Sequence, residues 1–347
     1  MKKKNKLKVD SNWNKLNKSK KVIKYTRDLH FPKFTIHYGD SKTPDGLTQS
    51  LIQAFLKCRR EFLYKMNLWA SEGKRTTFAN GSITHDTLDK VYTYFKKKNK
   101  LPSDALIKKW VNEYDKKNPK WLPKGNEDSE KFKAVCYVMV TEYIRYYKSD
   151  FKKGRVVGIE DVFDIRWKGF RLRGKKDLTF NIKKRRWIME TKTSARISEE
   201  TLIEKLAFDF QNLFYVNAEQ IEQKVQVDGV LYNIIRNPGL KFTEASLRAY
   251  CERLRKDVRA RGDHYFKRFE IPYTEADKED FKKELLVILK EIRMLISTPK
   301  KQAFSCAYKN TKNCTGQFNC SFLRACSTGT LDGYIKAKSL FKELEDL

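Results

Sequence analysis

The chain has 347 residues, 40% hydrophobic and 13% aromatic, enough to bury a real core as one elaborated domain or two smaller ones. Lys and Arg number 74 against 43 Asp and Glu, a formal charge of +31, so nucleic acid is the first partner to consider, while a Lys-rich surface serving only solubility is the plainer reading. A P-loop motor, a zinc-finger His pair, an internal repeat, an apolar membrane span and a secretory signal are all missing from the sequence, which implies a soluble, cytoplasmic protein.

Residues 1–45 are rich in Lys and Asn and read as a loosely attached basic arm. From Thr48, SLIQAFLKCRREFLYKMNLW spaces Leu51, Phe55, Phe62 and Tyr64 as one amphipathic helix. Asn80-Gly81 reads as a break before a helix that carries His85 near its start. Residues 100–127, punctuated by Pro, Lys and Trp, suggest a loop-and-helix insertion, and 129–150 a further helix. From about 155 the texture changes: VVGIEDVFDIRW, FRLRGKKDLTF and RWIMETKTS are short β-branched and aromatic runs separated by turn-like segments, the pattern of an antiparallel meander. One helix is expected from Ser198 to Lys224, then a strand over VDGVLYNIIR, two long charged helices (about 243–260 and 275–297) and a Cys-rich tail.

The meander carries the chemistry. Residues two apart on a strand share a face, so Glu190 and Lys192 point the same way, with Thr191 turned away and its carbonyl still able to reach a metal. If the hairpin turns near 181–186, Asp177 converges on that face. Two carboxylates and an ammonium are what metal-dependent phosphodiester hydrolysis needs; the same three residues on a solvated sheet face would do nothing. Lys175, Lys176, Lys183, Lys184, Arg185 and Arg186 lie nearby as candidate phosphate contacts, and Glu160 precedes the meander either as a support for the site or as an exposed strand residue.

Of seven cysteines, Cys306, Cys314, Cys320 and Cys326 fall in one short polar tail, which suggests metal rather than disulfides. Four thiolates suit a [4Fe–4S] cluster or a tetrahedral Zn²⁺, and the lack of Cys-x-x-Cys spacing weakens the zinc-ribbon reading. Cys136 and Cys251 fall in helical patterns and read as core.

Five short motifs, in order, resemble the RecB-like branch of the PD-(D/E)XK nucleases, especially single-chain phage and CRISPR-adaptation exonucleases with iron–sulfur clusters. TQSLIQAFLKCRREFLY is similar to the Ser-containing helix with its Cys-Pro-Arg turn, although Arg59 follows Cys58 here. GSITHDTLDKVY matches Gly-x-x-x-His, LRGKKDL matches Gly-x-x-Asp, IMETKTS matches (D/E)-x-K-T and QNLFY matches Gln-x-x-x-Tyr. GVLYNIIRNP and HYFKRFEIPYT also look like the phage members. The resemblance implies one or two Mg²⁺ or Mn²⁺ ions held by His85, Asp177, Glu190 and the Thr191 carbonyl. It implies Lys192 as the charge that orients water or stabilises phosphorus, and Gln211 and Tyr215 as groups that position Lys192 or contact nucleic acid. Related nucleases place one cysteine before the core and three after it, a layout that Cys58, Cys314, Cys320 and Cys326 reproduce; Cys306 is the alternative to Cys58. Such a cluster would join positions roughly 250 residues apart.

The expected fold is α/β and restriction-endonuclease-like, a mixed central sheet flanked by helices, with helical insertions and a Cys-rich metal-binding C-terminal segment. Its expected divisions are the basic arm (1–45), a helical region with Cys58 and His85 (46–155), the nuclease core (156–240), a helical insertion (241–300) and the cluster segment with the tail (301–347). The expected activity is that of a DNA exonuclease on single strands or duplex ends, serving phage recombination, replication or DNA degradation, with a helicase or recombination partner supplying any motor. A structure-specific endonuclease, a non-catalytic DNA-binding protein on the same fold, and an Fe–S or zinc recruiting protein are the rivals.

Overall fold

The computed structural model describes residues 46–71, 79–117, 126–195, 199–244, 246–298, 300–315, 320–337 and 344. The basic arm expected over 1–45 lies outside them. The elements run α1 (Gln49–Lys57), α2 (Arg59–Met66), β1 (Trp69–Ser71), α3 (Ala79–Lys98), α4 (Asp104–Lys117), α5 (Asn126–Tyr146), α6 (Lys148–Lys153), β2 (Gly154–Trp167), β3 (Phe170–Ile182) and β4 (Arg185–Ser194). They continue with α7 (Glu199–Ala207), α8 (Phe210–Gln223), β5 (Gly229–Arg236), α9 (Leu247–Ala260), α10 (Gly262–Tyr265), β6 (Phe266–Pro272), α11 (Glu275–Ser297), α12 (Lys300–Cys306), α13 (Leu323–Thr328) and β7 (Tyr334–Lys336).

The chain divides into two compact units, one within Lys74–Ile165 and Leu172–Glu284, the other within Met1–Gly73, Arg166–Arg171 and Leu285–Leu347. A five-stranded sheet runs in the order β2-β3-β4-β5-β6. β3 and β4 pair antiparallel, β4 and β5 parallel, and β5 and β6 antiparallel, so the sheet is mixed. The β3–β4 turn is two residues, Lys183-Lys184, both with positive φ (49° and 69°) and closed by the pair Ile182 and Arg185. That is the backbone of a tight hairpin turn whose twist matches its strands, built here without the usual Asn or Gly. It falls inside the 181–186 window expected from the sequence. Leu178, Phe180, Trp187, Met189, Leu231 and Ile235 from the sheet pack into one core with Ile83, Leu88 and Val91 of α3, Val111 of α4, Met139 and Tyr143 of α5, and Leu254 of α9. α8 packs on β4 and β5.

In the other unit the two-stranded pair β1–β7 is antiparallel, with Trp69 opposite Lys336 and Ser71 opposite Tyr334. Beside it Tyr64, Phe322 and Tyr334 stack in series, with ring centroids 4.8 and 5.5 Å apart.

Three boundaries correct the sequence reading. The helix expected from residue 48 is two helices, because Cys58 is extended (φ −164°, ψ 117°) between α1 and α2. The helix expected over 198–224 also breaks: Asp209 leaves helical geometry and its carboxylate caps α8 by accepting from the Asn212 N–H at 2.8 Å. Asn80-Gly81 is no break; it lies inside α3, where packing of the helix's apolar side against the sheet overrides the local signal.

Candidate active site

β3, β4, α3 and α8 each contribute to one cluster. Asp177 Oδ2 accepts the Thr191 N–H at 3.1 Å and stands 3.6 Å from His85 Nδ1. The Thr191 backbone also hydrogen-bonds the imidazole. Glu190 Oε1 accepts from Lys192 Nζ and, at 2.8 Å, from Gln211 Nε2. The Thr191 side chain lies on the other face of β4, where Asn233 Nδ2 donates to its Oγ1 at 3.5 Å and to Tyr143 Oη at 3.1 Å.

Electrostatics sharpen the picture. Burial, and then repulsion from Asp177, pushes Glu190 up to about 7. Burial raises Asp177 to about 6 against the pull of Lys192. Burial works against the Lys192 charge, but Glu190 and Asp177 outweigh it and hold this ammonium above its ordinary range. His85 is lowered, chiefly by burial, so the neutral imidazole is favoured. The second oxygen of Glu190, whose side chain is only 2% exposed, is buried without a hydrogen-bond partner. A buried carboxylate oxygen left bare is costly unless something else satisfies it.

Tyr215 is differently placed. Its ring is buried against Phe163 (centroids 6.0 Å apart) and lies over Gly174, where an added Cβ would meet Phe163 Cζ at 2.6 Å and Tyr215 Cε1 at 3.2 Å. The glycine of Gly-x-x-Asp therefore lets these two rings close on the strand. Lys176, expected among the phosphate contacts, is fully buried among Glu219, Asp161 (3.4 Å) and Glu222 (3.5 Å), and so is a structural ion pair rather than a surface grip. Arg186 is drawn into the same network through Glu219 at 3.1 Å, and Lys175 pairs with Glu160.

Two groups at the site escaped the sequence reading. Asp89 lies one helical turn beyond His85, a spacing that puts both on one side of α3, and burial together with Glu160 and Asp177 pushes it up to about 9. That i+4 spacing was available as a signal. Tyr232, register partner of Glu190 across the parallel pair, is raised to about 12 by burial and feels Lys192 and Glu190; no motif marks it. Glu160 has φ 48° within β2, a local irregularity in that strand, and faces Lys175.

In the other unit, the Cys58 and Cys326 thiols and the Cys320 and Cys326 thiols interact electrostatically, the Cys320 N–H donates to the Cys314 carbonyl at 3.0 Å, and Cys320 Sγ lies 4.0 Å from Glu61 Oε2. Cys306 is exposed, Cys136 is buried and Cys251 is half-buried. Among the described residues no group of three or more His, Cys, Asp or Glu is drawn together tightly enough to hold a metal ion; Glu190 is closed onto Lys192 and Gln211 instead. Nor is any described helix long and apolar enough to cross a membrane.

The profile of the PD-(D/E)XK nuclease superfamily matches residues 46–327, and the chain belongs to that superfamily. Its five-stranded mixed sheet with flanking helices is the restriction-endonuclease-like fold of such nucleases. A crystal structure of a "putative exonuclease" from Eubacterium rectale is 12% identical, with a TM-score of 0.42, covering 82% of this chain and 94% of that one. No curated protein matches the sequence.

Proposed function

We propose that this nuclease is a divalent-metal-dependent deoxyribonuclease, acting as an exonuclease on single-stranded DNA or duplex ends. The observation that carries the reading is the bare, buried oxygen of Glu190 beside Asp177, with Lys192 held charged between the two carboxylates' fields. Mg²⁺ or Mn²⁺ suits the hard oxygens of Asp177, Glu190 and the Thr191 carbonyl, which with the His85 imidazole nitrogen are the groups that would hold it. When bound, such an ion supplies Lewis acidity toward the phosphate and an acidified water.

The chain's own groups do the rest. Lys192, kept protonated, is suited to stabilise charge building on phosphorus rather than to accept a proton. Gln211 fixes Glu190 Oε1, so that Oε2 is the lobe left for a cation. Tyr215 supports α8 from the core side, and the nucleic-acid role implied for it by the resemblance has no support in its buried position. The core is proposed over 156–240, extended by the sheet strand β6 (Phe266–Pro272) and completed by His85 of α3, with 301–347 as the cysteine segment.

For the cysteines we propose a [4Fe–4S] cluster on Cys58, Cys314, Cys320 and Cys326, with Zn²⁺ as the alternative occupant. Support comes from the extended break that sets Cys58 between α1 and α2 and from its electrostatic contact with Cys326. The exposed Cys306 fits that set less well. A role in phage DNA recombination, replication or degradation, with a helicase or recombination protein as partner, rests on the sequence resemblance.

The deciding experiment sets the parent chain against Lys192→Ala on end-labelled linear and on circular single-stranded DNA, with Mg²⁺ or Mn²⁺ and with EDTA. Metal-dependent loss of the linear strand alone, abolished in the variant, is the expected result. Cutting of the circle establishes an endonuclease, and inertness of both proteins with DNA binding intact favours a binding protein on this fold.

A further inference from the structure

The junction between α7 and α8 holds a large apolar ring out in solvent. Phe208 is 86% exposed, more than any other large hydrophobic side chain among the described residues. It is not on a fraying end. The Phe208 N–H donates to the Lys205 carbonyl at 3.3 Å and the Asp209 N–H to the Leu206 carbonyl at 3.3 Å; Leu206 is itself buried and its carbonyl accepts the Tyr273 hydroxyl at 2.7 Å. On the following side Asp209 caps α8, and Phe210 turns inward against Phe214 and Phe281, with centroids 6.1 and 5.2 Å away. The backbone is thus pinned on both sides while the ring between them is left uncovered, at a cost in hydration that folding alone does not require.

The next turn of the chain leads straight to the active site. Gln211, three residues on, donates to Glu190, and Asp209 acts electrostatically on Tyr232, which is paired in register with Glu190. We infer that Phe208 is a stacking platform for a nucleobase of the DNA strand entering this site, so that the enzyme grips single-stranded or unpaired nucleotides beside the bond it cuts. An exposed aromatic face stacks on any base, which gives affinity without sequence preference, and the chain's positive charge supplies attraction to the backbone. The inference rests on the nuclease reading above and narrows its substrate to strands with an unpaired base at this position.

Binding rather than cleavage tests it, in the Lys192→Ala background with Mg²⁺ present. The probes are a short single-stranded oligonucleotide carrying 2-aminopurine, the same strand with abasic positions, and a blunt duplex. Phe208→Ala is expected to weaken binding of the intact strand roughly tenfold, as loss of one stacked base does, and to relieve fluorescence quenching. Phe208→Trp should restore both, and the abasic strand should bind parent and variant alike. Met294→Ala, which removes another highly exposed apolar side chain, should change nothing. Unchanged affinity in Phe208→Ala overturns the stacking role, as does an equal loss on the abasic strand, which would mark a general apolar contact. A parent that binds only the duplex also overturns it, yet leaves the nuclease reading standing if duplex ends are then cleaved by the unmutated enzyme.

Discussion

At the level of single residues, the candidate site is an energetic compromise. Glu190 and Asp177 are raised to about 7 and about 6, so near neutral pH the folded state holds protons that the unfolded chain has already released. The sign follows: these groups favour folding below their ordinary carboxylate values, and that contribution is lost as pH rises through 6 and 7. In EDTA, Glu190→Gln is therefore expected to unfold at the same temperature as the parent near pH 4 and to gain on it by pH 8. The gap should reach on the order of 3 kcal/mol, the free energy that corresponds to a carboxyl raised from 4.5 to about 7. Thermal unfolding across that range measures it, and a gap that closes as pH rises would refute the sign. The Asp-Glu-x-Lys constellation itself was legible in the sequence, because strand alternation fixes which side chains share a face. Asp89 and Tyr232 were not picked out, since their membership depends on helix placement and on a parallel register between residues some 40 positions apart.

Among elements, α8 is the one whose position matters most, because it carries Gln211. It is fastened to β3 by the fully buried Lys176, which meets Glu219 and Glu222 of the helix, and to β4 by Arg186 on Glu219. Such buried pairs are costly to make and costlier to halve. Lys176→Met is expected to lose roughly 3–5 kcal/mol in denaturant unfolding, by leaving Glu219 buried with only Arg186, whereas adding Glu219→Leu should recover part of it. A single variant as stable as the parent would show that the network contributes nothing. The sequence read this lysine as a phosphate contact because charge runs look alike whether they face water or carboxylates. Helix and strand identities were mostly evident from periodicity. The two helix breaks were hidden, because Cys58 and Asp209 interrupt their helices without Gly or Pro to signal it.

For the whole molecule, the mixed sheet and its order follow from a meander, a helix and a returning parallel strand, and the resemblance supplied the same architecture. The grouping of residues before 73 with those after 285 was legible only through the cysteine layout. Ordinary hydrogen bonds fasten that unit: β1 pairs with β7, Asn313 Nδ2 donates to the Lys57 carbonyl at 3.1 Å, and Arg60 Nε donates to the Ala307 carbonyl at 3.1 Å. Under the cluster proposal, anaerobically purified protein should absorb near ~400 nm and Cys58→Ser should lose that band. A colourless parent containing stoichiometric zinc would replace the iron–sulfur assignment.

The β1–β7 pairing also bears on how the protein is made. Trp69–Ser71 leaves the ribosome early, and its partner strand Tyr334–Lys336 follows some 260 residues later. Strands of the nuclease sheet, all contained within residues 154–272, are synthesised well before that moment. Domains fold as they emerge, so the sheet bearing Asp177, Glu190 and Lys192 can close while Trp69–Ser71 still waits for its mate. Completion of the cysteine-bearing unit thereby comes after the strands that carry Asp177, Glu190 and Lys192 have been made.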